Sequence, residues 1–247
     1  MEELGAPLFY RSIFCALCLW SAACGPIENY TEVKGQTMGT YYSVSYRREG
    51  GCKIEKSALD DVLKKINLTM STYLPDSEIS ILNHQKEPGV FRISQELKDV
   101  LQPAFLVWRQ TGGAFDVTVG PLVNLWGFGP EEKDSLPTLS DQLRAKKSIG
   151  MRNLALAEDS IEIRRPGMLL DLSAIAKGYA VDRIAALMRG RGCLDYLIDI
   201  GGEAKLSGLN PSGGLWRVGV EKAQIGESGV QEVLLLTDVG IATSGNY

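Results

Sequence analysis

Three segments with apolar residues at helical spacing constrain this chain most. The first opens near Ser57, with Leu59, Val62, Leu63, Ile66 and Met70 on one face and Asp60 three residues after the Ser cap. The second opens at Ser94 and carries Leu97, Val100, Leu101, Ala104, Phe105 and Trp108. Pro103 inside it predicts a kink, and Gly112 and Gly113 a stop. The third is capped by Ser173, shows Val181, Ile184, Ala185 and Met188 on one face, and stops at Gly190 or Gly192. Each stripe must be buried against something.

Short strand signals lie between and after these helices. Thr40 to Tyr46 alternates and is rich in Tyr, Val and Thr. Residues 153–164 read as a hairpin around Glu158-Asp159. Further strands are expected at Tyr196 to Ile200, Trp216 to Val220, Val233 to Thr237 and Ile241 to Thr243. No regular βαβ rhythm joins them, so the fold expected is α+β, with helices packed on a largely antiparallel sheet. Residues 25–37 are polar and read as a linker ahead of this domain.

Composition narrows the function. Lys and Arg total 26 against 30 Asp and Glu, a formal charge of −4, which argues against a general nucleic-acid binder. The single histidine, His84, lies in a polar stretch, reads as exposed, and excludes a three-His zinc site. There is no phosphate-binding P-loop, no dinucleotide G-x-G-x-x-G and no G-x-S-x-G nucleophile elbow. Glycine is in excess at 27 of 247 residues, about 11% against a usual level of about 7%. That excess points to turns and to close backbone approach by a ligand.

The N-terminal 23 residues read as a leader. Ser12 to Ala23 is almost wholly apolar but short for a membrane span, and small residues precede Cys24. This is the pattern of an export signal ending at a lipidated cysteine. Cys15 and Cys18 fall inside the apolar run. Cys52 and Cys193 leave two readings open, one disulfide in an oxidising compartment or two unpaired thiols.

Four segments join glycine or an aromatic residue to polar groups at element ends. Gly112-Gly113-Ala114-Phe115-Asp116 is a helix stop where the backbone is free to approach a ligand; its bland reading is a C-cap and a turn. The run from Asp171 through Ser173, Ala174 and Lys177 to Asp182 lies at a helix N-terminus, where free N–H groups and the dipole suit a phosphate. Lys177 adds a point charge, and Asp171 or a free carbonyl suits a hard cation such as Mg²⁺. The bland reading is a capped helix with solvated charges. Ile198-Asp199-Ile200-Gly201-Gly202-Glu203 is a strand entering a glycine turn, otherwise a plain hairpin. Met70 to Glu78 is a helix exit that places Tyr73 before a proline turn, either to stack on a planar ring or to pack in the core.

In order along the chain, Met38-Gly39-Thr40, MSTYLPDSEIS (70–80), GGAFDVTVGPLVNLWGFG (112–129), LDLSAIAKGYAVD (170–182), IDIGGEAKLSG (198–208), WRVGVEKA (216–223) and IATSGNY (241–247) resemble the FAD:protein FMN transferases, the ApbE family. The resemblance implies a T-fold-like α+β domain outside the cytoplasm. It implies binding of FAD and Mg²⁺ and transfer of the FMN half of FAD to a Ser or Thr hydroxyl of a target flavoprotein, leaving AMP. The acceptor would be a subunit of a membrane redox complex. It also implies a lipid anchor at Cys24 that holds the protein on the periplasmic face of the bacterial inner membrane. Carried over by position, Met38, Tyr73, Ala114, Phe115, Asp116, Asp171 and Lys177 would line the FAD site, with Tyr73 near the isoalloxazine ring. Ala174 would offer its main-chain carbonyl to the metal.

The nucleophile would come from the acceptor, so no catalytic residue of this chain is assigned. The family's sequence continues past SGNY with further metal-binding side chains, so the transferase domain expected over 38–247 is an incomplete one. Two alternatives stand beside flavin transfer: a Mg²⁺-dependent FAD pyrophosphatase, and a non-catalytic FAD-binding lipoprotein or inactive fragment.

Overall fold

The computed structural model describes residues 29–85, 87–130, 135–222 and 229–244. The expected leader, Cys24 and the start of the expected linker lie outside them. In chain order the elements are β1 (Tyr30–Thr37), β2 (Thr40–Arg47), α1 (Lys56–Met70), α2 (Glu78–Asn83), β3 (Gly89–Arg92), α3 (Gln95–Gln110), α4 (Gly120–Leu125) and α5 (Leu139–Lys146). They continue with β4 (Leu154–Leu156), β5 (Ser160–Ile163), α6 (Ser173–Gly190), β6 (Tyr196–Ile200), β7 (Glu203–Ser207), β8 (Trp216–Glu221), β9 (Val230–Leu236) and β10 (Val239–Ala242).

The main sheet has the order β1-β2-β6-β7-β10, with every neighbouring pair antiparallel. A smaller sheet is ordered β3-β5-β4, and β8 pairs with β9. The expected α+β architecture is therefore present. Tyr42, Val44 and Tyr46 of β2 alternate inward, as do Tyr196, Ile198 and Ile200 of β6. The inward rows meet Leu59, Leu63 and Ile66 of α1 and Ile184, Ala185 and Met188 of α6 in one core. Leu97, Val100, Leu101 and Ala104 of α3 extend it. Among the described residues no helix is long and apolar enough to cross a membrane.

Several expectations are corrected. The stretch read as linker is a strand from Tyr30 onward, paired with β2 along its whole length. It looked like linker because an edge strand with half-solvated faces has polar residues at most positions. α1 starts at Lys56 with Glu55 at the N-cap, so Ser57 does not cap it. Asp60 instead accepts from Tyr42 Oη (2.6 Å) and pairs with Lys56, which ties the helix to β2. Ser173 does not cap α6 either. The N-cap is Leu172, and the carboxylate of Asp171 accepts from Ser173 N–H at 2.8 Å. α3 is capped by Ser94 as expected and runs unbroken across Pro103. Cys52 and Cys193 form a disulfide that fastens the loop before α1 to the loop after α6.

A buried carboxylate joins three helices. Glu96 of α3 lies against Lys65 of α1 and Arg183 of α6, and Tyr179 of α6 donates to it at 3.3 Å. Burial, reinforced by the Glu96 charge, pushes the Tyr179 hydroxyl up to about 12.

Candidate active site

The site gathers at one end of the main sheet. There the β1–β2 turn, the β6–β7 turn, the end of β10 and the N-terminus of α6 come together. Thr37 pairs with Thr40, so Met38 and Gly39 alone form the first turn, with φ of 50° and 72°. Both values are positive, as a two-residue hairpin loop requires. Methionine is an uncommon occupant of that region, and such an outlier marks a candidate functional position.

The second turn is Gly201-Gly202, closed by the pair Ile200–Glu203. Gly201 has φ 54°, and a Cβ there would lie 2.6 Å from Thr40 Cγ2, so glycine is required on both counts. The turn is held from both sides: Gly202 N–H donates to Asp199 Oδ1 at 2.9 Å, and Thr243 donates to Gly202 O through its N–H (3.1 Å) and hydroxyl (3.0 Å).

α6 faces this turn. Lys177 Nζ lies 2.6 Å from Glu203 Oε2 and 3.4 Å from Gly201 O. Asp171 is 7% exposed. Its Oδ1 accepts from Ser173 N–H, and no described residue donates to Oδ2. Ala174 is exposed in the first turn of the helix.

The backbone around Asp171 is fixed by two neighbours. Asp171 N–H donates to Val117 O at 2.8 Å, which brings the segment after Phe115-Asp116 beside it. The Asn83 side chain grips Leu170 like a strand partner, donating to its carbonyl (2.8 Å) and accepting from its N–H (2.7 Å). Asp116 holds its own loop and ties it to the segment before β4: Oδ1 accepts from Thr118 N–H (2.8 Å) and Oγ1 (2.5 Å), and Oδ2 from Met151 N–H (3.1 Å). Phe115 is half-buried against the core, whereas Ala114 is exposed.

Tyr73 is 61% exposed, which removes the core-packing reading. Its loop is rigid, because buried Ser77 and Ser80 both donate to Ser71 O, at 2.6 and 3.2 Å. Its hydroxyl donates to Phe128 O at 2.8 Å, beside the exposed rings of Phe128 and Trp126. The structure thus links Asp116 with Asp171, and Lys177 with the diglycine turn that abuts Thr40 after Met38. Tyr73 is held separately, on Phe128. His84 is exposed, as expected.

The sequence of this region matches a known family over residues 38–247. The chain belongs to the ApbE family. Relatives named FAD:protein FMN transferase include one from Vibrio cholerae serotype O1, 38% identical over 236 residues covering 94% of this chain and 71% of the relative. Another, from Haemophilus influenzae, is 36% identical over 246 residues, covering 95% and 71%. Among solved structures, the flavin transferase ApbE from Vibrio cholerae superimposes with a TM-score of 0.83 at 38% identity, over 88% of this chain and 72% of that one. The apo flavinyl transferase ApbE from Pseudomonas stutzeri gives 0.80 at 28% identity, over 88% and 70%.

In this ApbE-family chain, Asn83, Thr118 and Thr243 shape the site without having been singled out from sequence, and Glu203, read there as the end of a glycine turn, pairs with Lys177. The Asp116-x-Thr118 spacing is a local Asx-turn signal that sequence reading can find. Asn83 acts across 87 residues, and no local pattern announces it.

Proposed function

We propose that this ApbE-family chain is an FAD:protein FMN transferase. It moves the FMN moiety of FAD onto a Ser or Thr hydroxyl of an acceptor flavoprotein, with Mg²⁺, and releases AMP. The bond that forms joins the acceptor oxygen to the FMN phosphorus. The bond that breaks joins the same FMN phosphorus to the bridging oxygen, which departs as part of AMP, and the hydroxyl proton leaves with AMP or to solvent. The observation that carries this reading is the Lys177 ammonium of α6 set against the diglycine turn, at the Gly201 carbonyl and Glu203.

The diphosphate would lie at the first turn of α6, where the helix dipole favours negative charge and the Ala174 N–H has no partner among the described residues, the Ser173 and Ile175 N–H groups being taken by Asp171 and Leu172. Lys177 offers its ammonium there, and the residue types at Met38, Ala114 and Phe115 suit an apolar wall for the flavin nucleotide. Tyr73, braced by its loop, is available to stack on the isoalloxazine ring.

A divalent cation fits in one particular way. Among the described residues no group of three His, Cys, Asp or Glu could hold a metal by itself. Asp171, whose Oδ2 has no donor among the described residues, the Ala174 carbonyl and the diphosphate oxygens make the kind of donor set Mg²⁺ accepts, with few protein ligands and the rest from substrate and water. When bound, Mg²⁺ supplies charge neutralisation on the diphosphate. A cation there would also offset the Asp171 and Glu203 carboxylates, which flank α6 with the Lys177 ammonium.

We further propose that the protein is exported and anchored through a lipid on Cys24, facing the periplasm, with an acceptor in a membrane redox complex. The Cys52–Cys193 disulfide supports an oxidising compartment. The deciding experiment incubates the protein with FAD, Mg²⁺ and an acceptor domain, and follows the covalent flavin band and free AMP together. Both should rise in equal amounts. AMP without labelled acceptor would instead establish a pyrophosphatase, and retained FAD without AMP a binding protein.

A further inference from the structure

Two ion pairs of opposite polarity lie along the seam between α6 and β7. Lys177 on the helix meets Glu203 on the strand, and Asp182 on the helix meets Lys205 on the strand. The steps match: five helical residues rise about 7.5 Å, and two strand residues about 6.8 Å. A shift of the helix by one pair would place like charges together, so the seam fixes the register of α6 on β7. The Lys177–Glu203 pair is the more shielded, with side chains 30% and 22% exposed, whereas Asp182 is 63% exposed.

Glu203 Oε2 is closed off from solvent, and among the described residues no donor meets it in hydrogen-bond geometry. Its polar contact is the Lys177 ammonium at 2.6 Å, an ion pair by distance. This oxygen therefore caps no backbone and braces no loop; its contact is with the lysine. Lysine has a flexible stem whose ordering costs rotamer entropy, and a binding group that is already ordered does not incur that cost on association.

We propose that Glu203 is a positioning residue: it holds Lys177 Nζ at the Gly201 carbonyl, beside the first turn of α6, in place to meet the FAD diphosphate. This rests on the reading of Lys177 as a diphosphate-binding residue. Two effects of Glu203 oppose each other. Its negative charge offsets part of the ammonium's attraction for the phosphates, and its grip keeps the ammonium in place. The short contact and the shielding make the grip the larger effect.

The test measures FAD affinity by flavin fluorescence with Mg²⁺ present, in a double-mutant cycle of Glu203→Gln and Lys177→Met. Glu203→Gln should weaken FAD binding about tenfold, and Glu203→Asp, which keeps the charge but shortens the reach, should weaken it several-fold. Against Lys177→Met, adding Glu203→Gln should change affinity less than twofold. Melting curves restrict the comparison to folded variants, and Glu203→Asp keeps the test available should Glu203→Gln misfold. Tighter binding in Glu203→Gln, or equal weakening with and without Lys177, overturns the proposal. Wild-type affinity in Lys177→Met would instead overturn the assignment of Lys177 itself, and the Glu203 role with it.

Discussion

The disulfide offers a perturbation whose size can be worked out in advance. Cys52 and Cys193 are 4% and 1% exposed and lie 141 residues apart in sequence. Closing a loop of that length in the unfolded chain removes conformational entropy equivalent to about 5 kcal/mol at 25 °C. Net stabilities of folded domains are about 5–15 kcal/mol, so one covalent bond accounts for a large share. With a urea dependence of about 2 kcal/mol per molar, reduction should lower the unfolding midpoint by about 2.5 M. The assay is urea unfolding followed by far-UV circular dichroism, with and without dithiothreitol, and thiol titration to confirm complete reduction. The double variant Cys52→Ala/Cys193→Ala should unfold near the reduced wild type and ignore the reductant. The oxidised protein should also show the shallower dependence, because its unfolded state is more compact. A shift below about 0.5 M with full reduction would refute the reasoning.

Other consequences are equally direct. Gly201→Ala forces a Cβ to 2.6 Å from Thr40 at a φ of 54°, and should cost about 1–3 kcal/mol by thermal melting while weakening FAD binding. Asn83→Ala strips both bonds from Leu170 and should lose about 1–3 kcal/mol, with FAD affinity falling because Asp171 is no longer fixed. Asp171→Ala should abolish Mg²⁺-dependent release of AMP, and unchanged turnover would remove that residue from the mechanism. Tyr179 has its folded-state value raised to about 12, above the unfolded value of about 10. The folded protein thus holds that proton more tightly, so stability falls as pH rises from about 10 to 12. Tyr179→Phe should remove this part of the alkaline limb, as measured by urea midpoints across that range.

The helices were legible because burial repeats at helical spacing: the apolar faces of α1, α3 and α6 read from sequence are the buried ones. Their ends were less so. Ser173 has the right residue type for a cap, yet the carboxylate two residues earlier takes the N–H, and only geometry separates the two. β1 was missed because its turn is Met-Gly, without the Asn or Asp that usually signals such a hairpin. α5 was missed although Thr138 and Asp141 form a capping box, since its face buries nothing. At the site, segment order named the elements that converge. The contacts that shape it are long-range, as when Asn83 holds Leu170 and Thr243 closes the turn at Gly202, and composition carries no record of them.

Met38 places stability and function in opposition. With φ at 50° its backbone would be relaxed by Gly or Asn by about 1 kcal/mol, set against the contacts its half-buried side chain makes with the core. That exchange would also delete the long apolar side chain at the mouth of the proposed flavin site. A library ranked by melting temperature therefore reports, at position 38, the strain relieved less the packing lost, and is blind to the cost at the proposed flavin site. Thermostabilisation of this chain should leave that turn alone and take its gains from α5 and other surfaces remote from the sheet end.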